Sequence, residues 1–486
     1  MSAGPLDPTT APTFPIAAKA AMEDSQLRKN VRHATDVIQA KRTRVVDEMP
    51  DWQGLREAGK QIREHTMRHL DFYLELFEMN CTRAGGVVHW ARDAAEARRI
   101  VVGLVRASGS DEVIKIKSMT TEEIQLNPAL EAAGIHPYET DLAELIIQLG
   151  QDQPSHIVVP ALHKNREQIR EIFQRTMHLP ELGDRPQDLA DAARLFLREK
   201  FLRVKTGVSG ANFLIAETGG VCVVESEGNG RMCLTLPETL ITVAGIDKVL
   251  PRYQDLEVML QLLPRSATGE RMNPYNSIWT GVDPEDGPRV FHVVLMDNAR
   301  TEILADDEAR QTLNCIRCGA CQNACPVYRQ TGGHAYGSVY AGPIGAILTP
   351  QLQEMHHAQS LPYASSLCGA CYEVCPVKIN IPEVLIHLRN KVVVQNTSGI
   401  AGLFDLEAVA MKAMAAIFRS ERRFRAAQRL GRIAETPLVR KDEQGQGWIS
   451  WLPGMLGGWS QTRDLQEMPK ETFRDWWEKR SGHENE

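Results

Sequence analysis

In the N-terminal part of the chain, apolar positions recur at intervals of three or four. Leu55, Ala58, Ile62, Thr66, His69, Phe72/Tyr73 and Leu76 form one such stripe, which predicts amphipathic helix across about 21–85 with a packing role. From about residue 86 short apolar runs alternate with helical stretches. VVHWA (87–91), EVIKI (112–116) and HIVV (156–159) read as strands, and DAAEARRIVVGLV (93–105), DLAELIIQL (141–149) and ALHKNREQIREIF (161–173) as helices. Further β runs are ANFLIA (211–216), VCVVES (221–226), TLITVA (239–244) and RVFHVVLM (289–296). This alternation predicts a mainly parallel sheet covered by helices, ending near residue 300.

Beyond that point the pattern is helical. LTPQLQEMHHA (348–358) and PEVLIHLRNKVVV (382–394) predict helices, with a loop where Gly332, Gly333, Gly337, Gly342 and Gly345 cluster. DLEAVAMKAMAAIFRSERRFRAAQRLGRI (405–433) predicts a further helix. An irregular stretch follows, rich in tryptophan: Trp448, Trp451, Trp459, Trp476 and Trp477. The expected class is therefore α/β plus all-α. It divides into a flexible Pro- and Thr-rich tail (1–20), a helical segment (21–85), an α/β domain (86–300), a helical cysteine domain (301–395) and a C-terminal region (396–486).

The 486 residues suffice for two or three domains. A net charge of −7 and a pI near 6.1 argue against nucleic-acid binding, which needs a basic surface. No apolar run approaches the ~18 residues of a membrane-spanning helix. The start of the chain lacks the basic region of a signal peptide, so a cytoplasmic protein is expected.

Seven of the ten cysteines fall within 315–375. CIRCGACQNACP (315–326) fits the C-x2-C-x2-C-x3-C-P run of bacterial ferredoxins, in which the fourth cysteine ligates the other cluster. Three thiolates on a tight loop can cap three corners of one cubane, and the fourth, beyond a short turn, points away. CGACYEVCP (368–376) repeats the last three cysteines, with Ser365 where the first would stand. The exchange rule assigns Cys315, Cys318, Cys321 and Cys375 to a first [4Fe-4S] cluster. It assigns Cys325, Cys368 and Cys371 to a second, either [4Fe-4S] or [3Fe-4S]. The second then has either an oxygen ligand such as Ser365 or an empty corner. Zinc wants four ligands per site, which seven cysteines with two Cys-Pro endings fit poorly. Cys81, Cys222 and Cys233 stand alone and read as small core residues. No other long repeat is present.

Around these motifs the chain resembles the lactate utilisation protein B family over nearly its whole length. The segments that carry the resemblance are KSMTTEEIQLN (117–127), ETDLAELIIQL (139–149), PSHIVVPALHK (154–164), TGVSGANFLIAETGGVCVVESEGNGR (206–231), the two cysteine motifs and FRDWW (473–477). The resemblance implies a lactate-utilisation domain over 86–300, similar in fold to ribose-phosphate isomerases and CoA-transferases. It implies an iron–sulfur subunit of a complex that oxidises L-lactate to pyruvate. The partners it implies are a cysteine-rich subunit like those of heterodisulfide reductase and a smaller lactate-utilisation-domain protein.

Other residues are candidates for ligand binding. GVSGA (207–211) and EGNGR (227–231) lack the G-x-G-x-x-G spacing of a dinucleotide site, and no flavin or nicotinamide fingerprint appears. The glycines of 207–221 could still bring N–H groups against an anion, with Ser209, Gly210, Glu217, Thr218, Gly219 and Gly220 as candidates; a structural turn is the simpler role. His163 and Lys164 could bind a carboxylate or merely cover the surface. Arg419, Arg422, Arg423, Arg425 and Arg429 make a basic helix for a membrane surface, a partner or solvent. The leading expectation is an electron-transfer subunit, inactive by itself. Its rivals are an α/β domain that acts on a hydroxy acid or acyl group, and a redox-sensing regulator, which the lack of a DNA-reading motif disfavours.

Overall fold

The computed structural model describes residues 11–353, 355–398 and 406–483. The chain forms two compact units, one ending at Val392 and the other running from Val393. Among the described residues no helix is long and apolar enough to cross a membrane.

The first unit opens with helices Phe14–Glu23, Ser25–Asp47, Trp52–Arg68 and Leu70–Arg83. Part of the expected tail is therefore helix, and residues 1–10 lie outside the described residues. Phe14 anchors that helix: its ring lies 4.9 Å from Tyr336, and its N–H donates to Ser360 Oγ at 3.1 Å. The buried face of the next helices matches the expected stripe only in part. Arg56, Gly59, Arg63, Thr66, Leu70, Leu74 and Phe77 are buried; of the expected stripe Leu55, Ile62, Tyr73 and Leu76 are half-buried against the same core, and His69 and Phe72 are exposed. Two arginines on the core side displaced the apolar signal.

A six-stranded, wholly parallel sheet follows, as the strand–helix alternation predicts. Its strands are β1 (Val87–Ala91), β2 (Glu112–Lys115), β3 (His136–Glu139), β4 (Thr206–Ser209), β7 (Thr239–Gly245) and β10 (Val290–Met296), in the order β1-β10-β7-β4-β2-β3. Val101, Val105, Ile124 and Leu130 cover one face, against Val113, Val208, Ile241 and Val294. Leu74 and Phe77 belong to the core on the other face, with Ile114, Leu240 and Phe291. A second, mixed sheet was not expected. It is formed by β5 (Phe213–Ile215), β6 (Gly220–Glu225), β8 (Val249–Leu250) and β9 (Tyr275–Thr280), in the order β8-β5-β6-β9.

HIVV (156–159) is not a strand. Its N–H groups go to side chains instead of a ladder: Ile157 donates to Gln322 Oε1 at 3.3 Å, and Val158 and Val159 both donate to His156 Nδ1 at 3.0 Å. The apolar run packs on the cysteine loop. The helix expected over 161–173 begins later, at Arg166, where Asn165 and Gln168 form a capping box.

The cysteine region is helical, as expected. It contains Ala320–Ala324, Gly342–Leu352, Ala370–Val374 and Ile381–Thr397. Part of the glycine-rich stretch expected as loop is helix, because Gly345 lets Gly342–Leu352 back onto the Tyr340 carbonyl, 1.8 Å from where a Cβ would stand. In the second unit the long helix is two, Leu406–Phe418 and Glu421–Glu435, and residue 405 lies outside the described residues. The tryptophan-rich remainder, expected to be irregular, contains a three-stranded antiparallel sheet (Arg440–Lys441, Gly447–Ile449, Leu465–Gln466) and helix Phe473–His483.

Candidate iron–sulfur site

The two cysteine motifs share one backbone path. In the first, Arg317 (φ 59°) and Gly319 (φ 74°) flank Cys318; in the second, Leu367 (φ 54°) and Gly369 (φ 82°) flank Cys368. Left-handed residues either side of a cysteine turn successive N–H groups to one side, which suits an anionic sulfur cluster. A short helix follows each loop, Ala320–Ala324 or Ala370–Val374. Cys321 or Cys371 lies inside it, and Cys325 or Cys375 ends it before a proline. The two helices pack against each other.

Cys315, Cys318, Cys321 and Cys375 line one small cavity, walled by Ile344, Val377, Ile379 and Ile381. Cys375 thus joins three cysteines of the other motif. Cys325 is the neighbour of Cys368 and Cys371: burial first, then Cys325 and Cys368, push Cys371 up to about 12, and burial, then Cys368, push Cys325 up. Burial raises Cys375 to about 11. Cys368 is exposed, and hydrogen bonds from the Ala370 N–H and Ser366 lower its thiol.

Backbone N–H groups converge on the sulfurs. Arg317 donates to Cys315 Sγ at 3.4 Å, Tyr328 to Cys325 Sγ at 3.5 Å and Ile379 to Cys375 Sγ at 3.3 Å. Six of the seven thiols are buried or partly buried and none is in a disulfide. Such thiols resist ionisation unless a cation neutralises them, and soft thiolates with N–H···S bonds select iron–sulfur clusters. The donor set therefore fits iron–sulfur ligation.

Arginines missed by hydropathy hold this region in place. Arg56 Nε donates to the Cys375 carbonyl at 2.9 Å and Nη2 to that of Tyr372 at 3.0 Å. Arg63, fully buried, binds the carbonyls of Val249 and Leu313 at 2.9 Å and that of Asp247. Arg42 Nη2 donates to the Val374 carbonyl at 3.1 Å. Asp247 accepts from Arg300 at 2.6 Å and Arg317 at 3.5 Å, while Arg300 forks onto Glu123 at 2.9 and 2.8 Å. Burial works against the Asp247 carboxylate, but Arg300 and Arg317 hold it below the usual range. The seven-residue spacing of Arg56 and Arg63, two helical turns, was the available signal.

The other candidate residues fall in separate places. Ser209 Oγ is buried against Thr242 Oγ1 at 2.7 Å, and Gly210 lines a cleft. Glu217, Thr218, Gly219 and Gly220 sit at the opposite end of β5, in its turn into β6. There Asn80 Nδ2 donates to the Glu217 carbonyl at 3.0 Å, Glu217 Oε2 accepts from the Tyr253 N–H at 2.9 Å, and Gly220 donates to Thr218 Oγ1 at 3.1 Å. A Cβ on Gly219 (φ 68°) would lie 2.2 Å from the Cys81 nitrogen. His163 contacts Asp152 Oδ2 at 3.1 Å and Ser155 Oγ at 2.8 Å, and Lys164 pairs with the same carboxylate. Cys81, Cys222 and Cys233 are buried core residues, their thiols raised by burial to about 11, 12 and 12.

Three family models match the chain: LUD domain over 74–296, 4Fe-4S dicluster domain over 311–379, and lactate utilisation protein B, C-terminal, over 394–482. Lactate utilization protein B 1 of Bacillus mycoides is 42% identical over 457 residues, 94% of each chain. The chain belongs to the lactate utilisation protein B family. Within that family, lactate utilization protein B of an Exiguobacterium species is 42% identical over 470 residues, 96% of this chain and 97% of its own. That of Bacillus thuringiensis is 41% identical over 458 residues, 94% of each. Among solved structures, a duf162 family protein from Deinococcus radiodurans aligns at TM-score 0.25 and 14% identity, over 47% of this chain and 98% of that one.

Proposed function

We propose that this protein is the iron–sulfur electron-transfer subunit of a cytoplasmic complex that oxidises L-lactate to pyruvate. The observation that carries the reading is the cavity shared by Cys315, Cys318, Cys321 and Cys375, beside the group of Cys325, Cys368 and Cys371. The names of the relatives supply lactate. The first four residues would hold a four-iron cluster, and the other three would hold a second. When bound, such clusters supply single-electron carriage. The chain's own contribution is ligation by seven thiols, N–H groups aimed at sulfur, and an apolar wall over the first site; these set redox potential. The electrons of lactate come as a pair. A partner must therefore take the pair, so the isolated chain is inactive toward lactate; the family resemblance implies that the partners are a cysteine-rich subunit and a smaller lactate-utilisation-domain protein.

The test is anaerobic purification with native partners, followed by EPR before and after L-lactate. About seven to eight irons per chain and a lactate-dependent reduced signal are expected. Iron near two per chain, stoichiometric zinc, or robust lactate-dependent dye reduction by the partner-free chain would overturn the reading.

A further inference from the structure

Beyond the carboxyl ends of β7, β4 and β2, neighbours in the parallel sheet, lies a cleft of about 380 Å³. It is formed by the residues that follow those strands: Ile116 to Thr120 after β2, Gly210 to Asn212 after β4, and Lys248 after β7. Open α/β sheets bind ligands at this place, because fixed strand ends support loops that are free to vary. The volume is that of a small-molecule site.

Lys248 decides what the cleft takes. It is 7% exposed, and among the described residues its ammonium makes no hydrogen bond or close ion pair, with the Asp247 carboxylate attracting it at longer range. Asp247 beside it is already held by Arg300 and Arg317. A buried ammonium whose neighbouring carboxylate is already shared by two other cations has charge left to balance, so the site suits an anion. Arg317 also lines the cleft, and its Nε and Nη1 are buried without a partner. The cleft's acids are committed to backbone. Asp141 caps helix Leu142–Leu149, Glu225 accepts from Gly228, Gly230 and Arg231, and Glu227 accepts from Leu142. Apolar walls, Ile157 and Val223 among them, complete it. Two cations with N–H groups left unbonded, beside an apolar wall, match a short carbon skeleton that carries one carboxylate.

We infer that this cleft binds a small 2-hydroxy or 2-oxo carboxylate, with its carboxylate against Lys248 and Arg317. The choice of acid rests on the lactate reading above. Arg317 also lines the cavity of Cys315, Cys318, Cys321 and Cys375, so one side chain borders both the bound acid and the first thiol group.

The test is calorimetric titration of the anaerobically purified, iron-containing full chain with L-lactate and, separately, pyruvate. Saturable binding of one acid per chain is expected, each competing with the other; the tighter one tells hydroxy from oxo acid. Lys248→Met should weaken binding about tenfold or more, and Lys248→Arg should restore part of it. Ser226→Trp changes an exposed residue that lines the cleft. It should block binding at unchanged iron content, which covers the case in which Lys248→Met fails to fold. Absence of saturable binding, or binding that Ser226→Trp leaves intact, overturns the inference. If L-lactate reduces the chain in the presence of its partners but the chain binds no acid, the site falls and the proposed function stands. If the chain binds acid but lactate never reduces it with partners, the function falls and the site stands.

Discussion

Ser365 occupies in the second cysteine motif the position that Cys315 occupies in the first. The Leu367 N–H donates to Ser365 Oγ at 3.1 Å, as the Arg317 N–H donates to Cys315 Sγ at 3.4 Å. Both donors are left-handed residues, and both immediately precede a cysteine. The loop is thus preserved, and the side-chain atom at this position is hard oxygen in place of soft sulfur. An alkoxide holds iron less firmly than a thiolate in such a cluster. Ser365→Cys is therefore expected to give a second four-iron cluster that survives mild oxidation. The unaltered protein should lose one iron and give a three-iron EPR signal. Equal loss of iron from both proteins would show that position 365 does not face the cluster.

Cys375 is 50 residues beyond Cys325 in sequence, yet it lines the cavity of the first motif. Cys375→Ala should accordingly damage the cluster of Cys315, Cys318 and Cys321, and Cys325→Ala that of Cys368 and Cys371. Mössbauer spectra of the two variants decide the matter. If Cys325→Ala removes the first cluster and spares the second, the crossed assignment is wrong.

Arg63 bridges three carbonyls from two separate stretches, Asp247 and Val249 on one side and Leu313 on the other. Arg63→Ala would leave those carbonyls buried and unpaired. The expected cost is about 3 kcal/mol or more, since charge-assisted bonds contribute about 1.5–3 kcal/mol each. Thermal melts of the iron-containing protein should fall for Arg63→Ala. They should fall less for Arg63→Lys, which keeps the charge but not the fork. A melt unchanged in Arg63→Ala would show these bonds to be replaceable by water.

The same arginines explain where sequence reasoning stopped. The parallel sheet was legible because β2, β7 and β10 are apolar runs buried at their centres, and β1, at the sheet edge, is apolar in sequence although Val87 and Trp90 are exposed. β3 (HPYE) and β4 (TGVS) were not, since proline, glycine and charge mask short strands whose pairing is dictated by neighbours. HIVV looked like a strand because burial alone produces an apolar run, whether against a ladder or a loop. In Trp52–Arg68 hydropathy found Thr66 and the half-buried Leu55 and Ile62 but not the deepest positions, since Arg56 and Arg63 count as surface residues until their carbonyl partners are seen. The seven cysteines stood out as candidate ligands because their spacing is local to each motif, whereas the placing of Cys375 with the first motif rested on the exchange rule alone. The cleft was not, because Lys248, Gly210 and Arg317 come from segments that only the fold brings together.

Glu144 gives the protein a pH dependence of unusual sign. It lies 5% exposed on helix Leu142–Leu149. Burial first, then repulsion from Glu122 and Glu139, push its carboxyl up to about 8, against the attraction of Lys117 and Lys115. In the unfolded chain an ordinary glutamate titrates near ~4.3. Below that value both states are protonated and the contribution of the group to stability is at its fullest. Between there and about 8 the unfolded chain releases a proton that the folded chain keeps, so stability falls as pH rises, by at most about 1.4 kcal/mol per pH unit. Above about 8 the loss levels off. Glu144→Gln keeps the shape and is neutral throughout, so its advantage over the unaltered protein should grow from pH 5 to pH 8 and then stay constant. Urea unfolding of both iron-containing proteins across that range measures the difference. A difference independent of pH would mean that the neighbouring lysines keep Glu144 ionised in the folded chain.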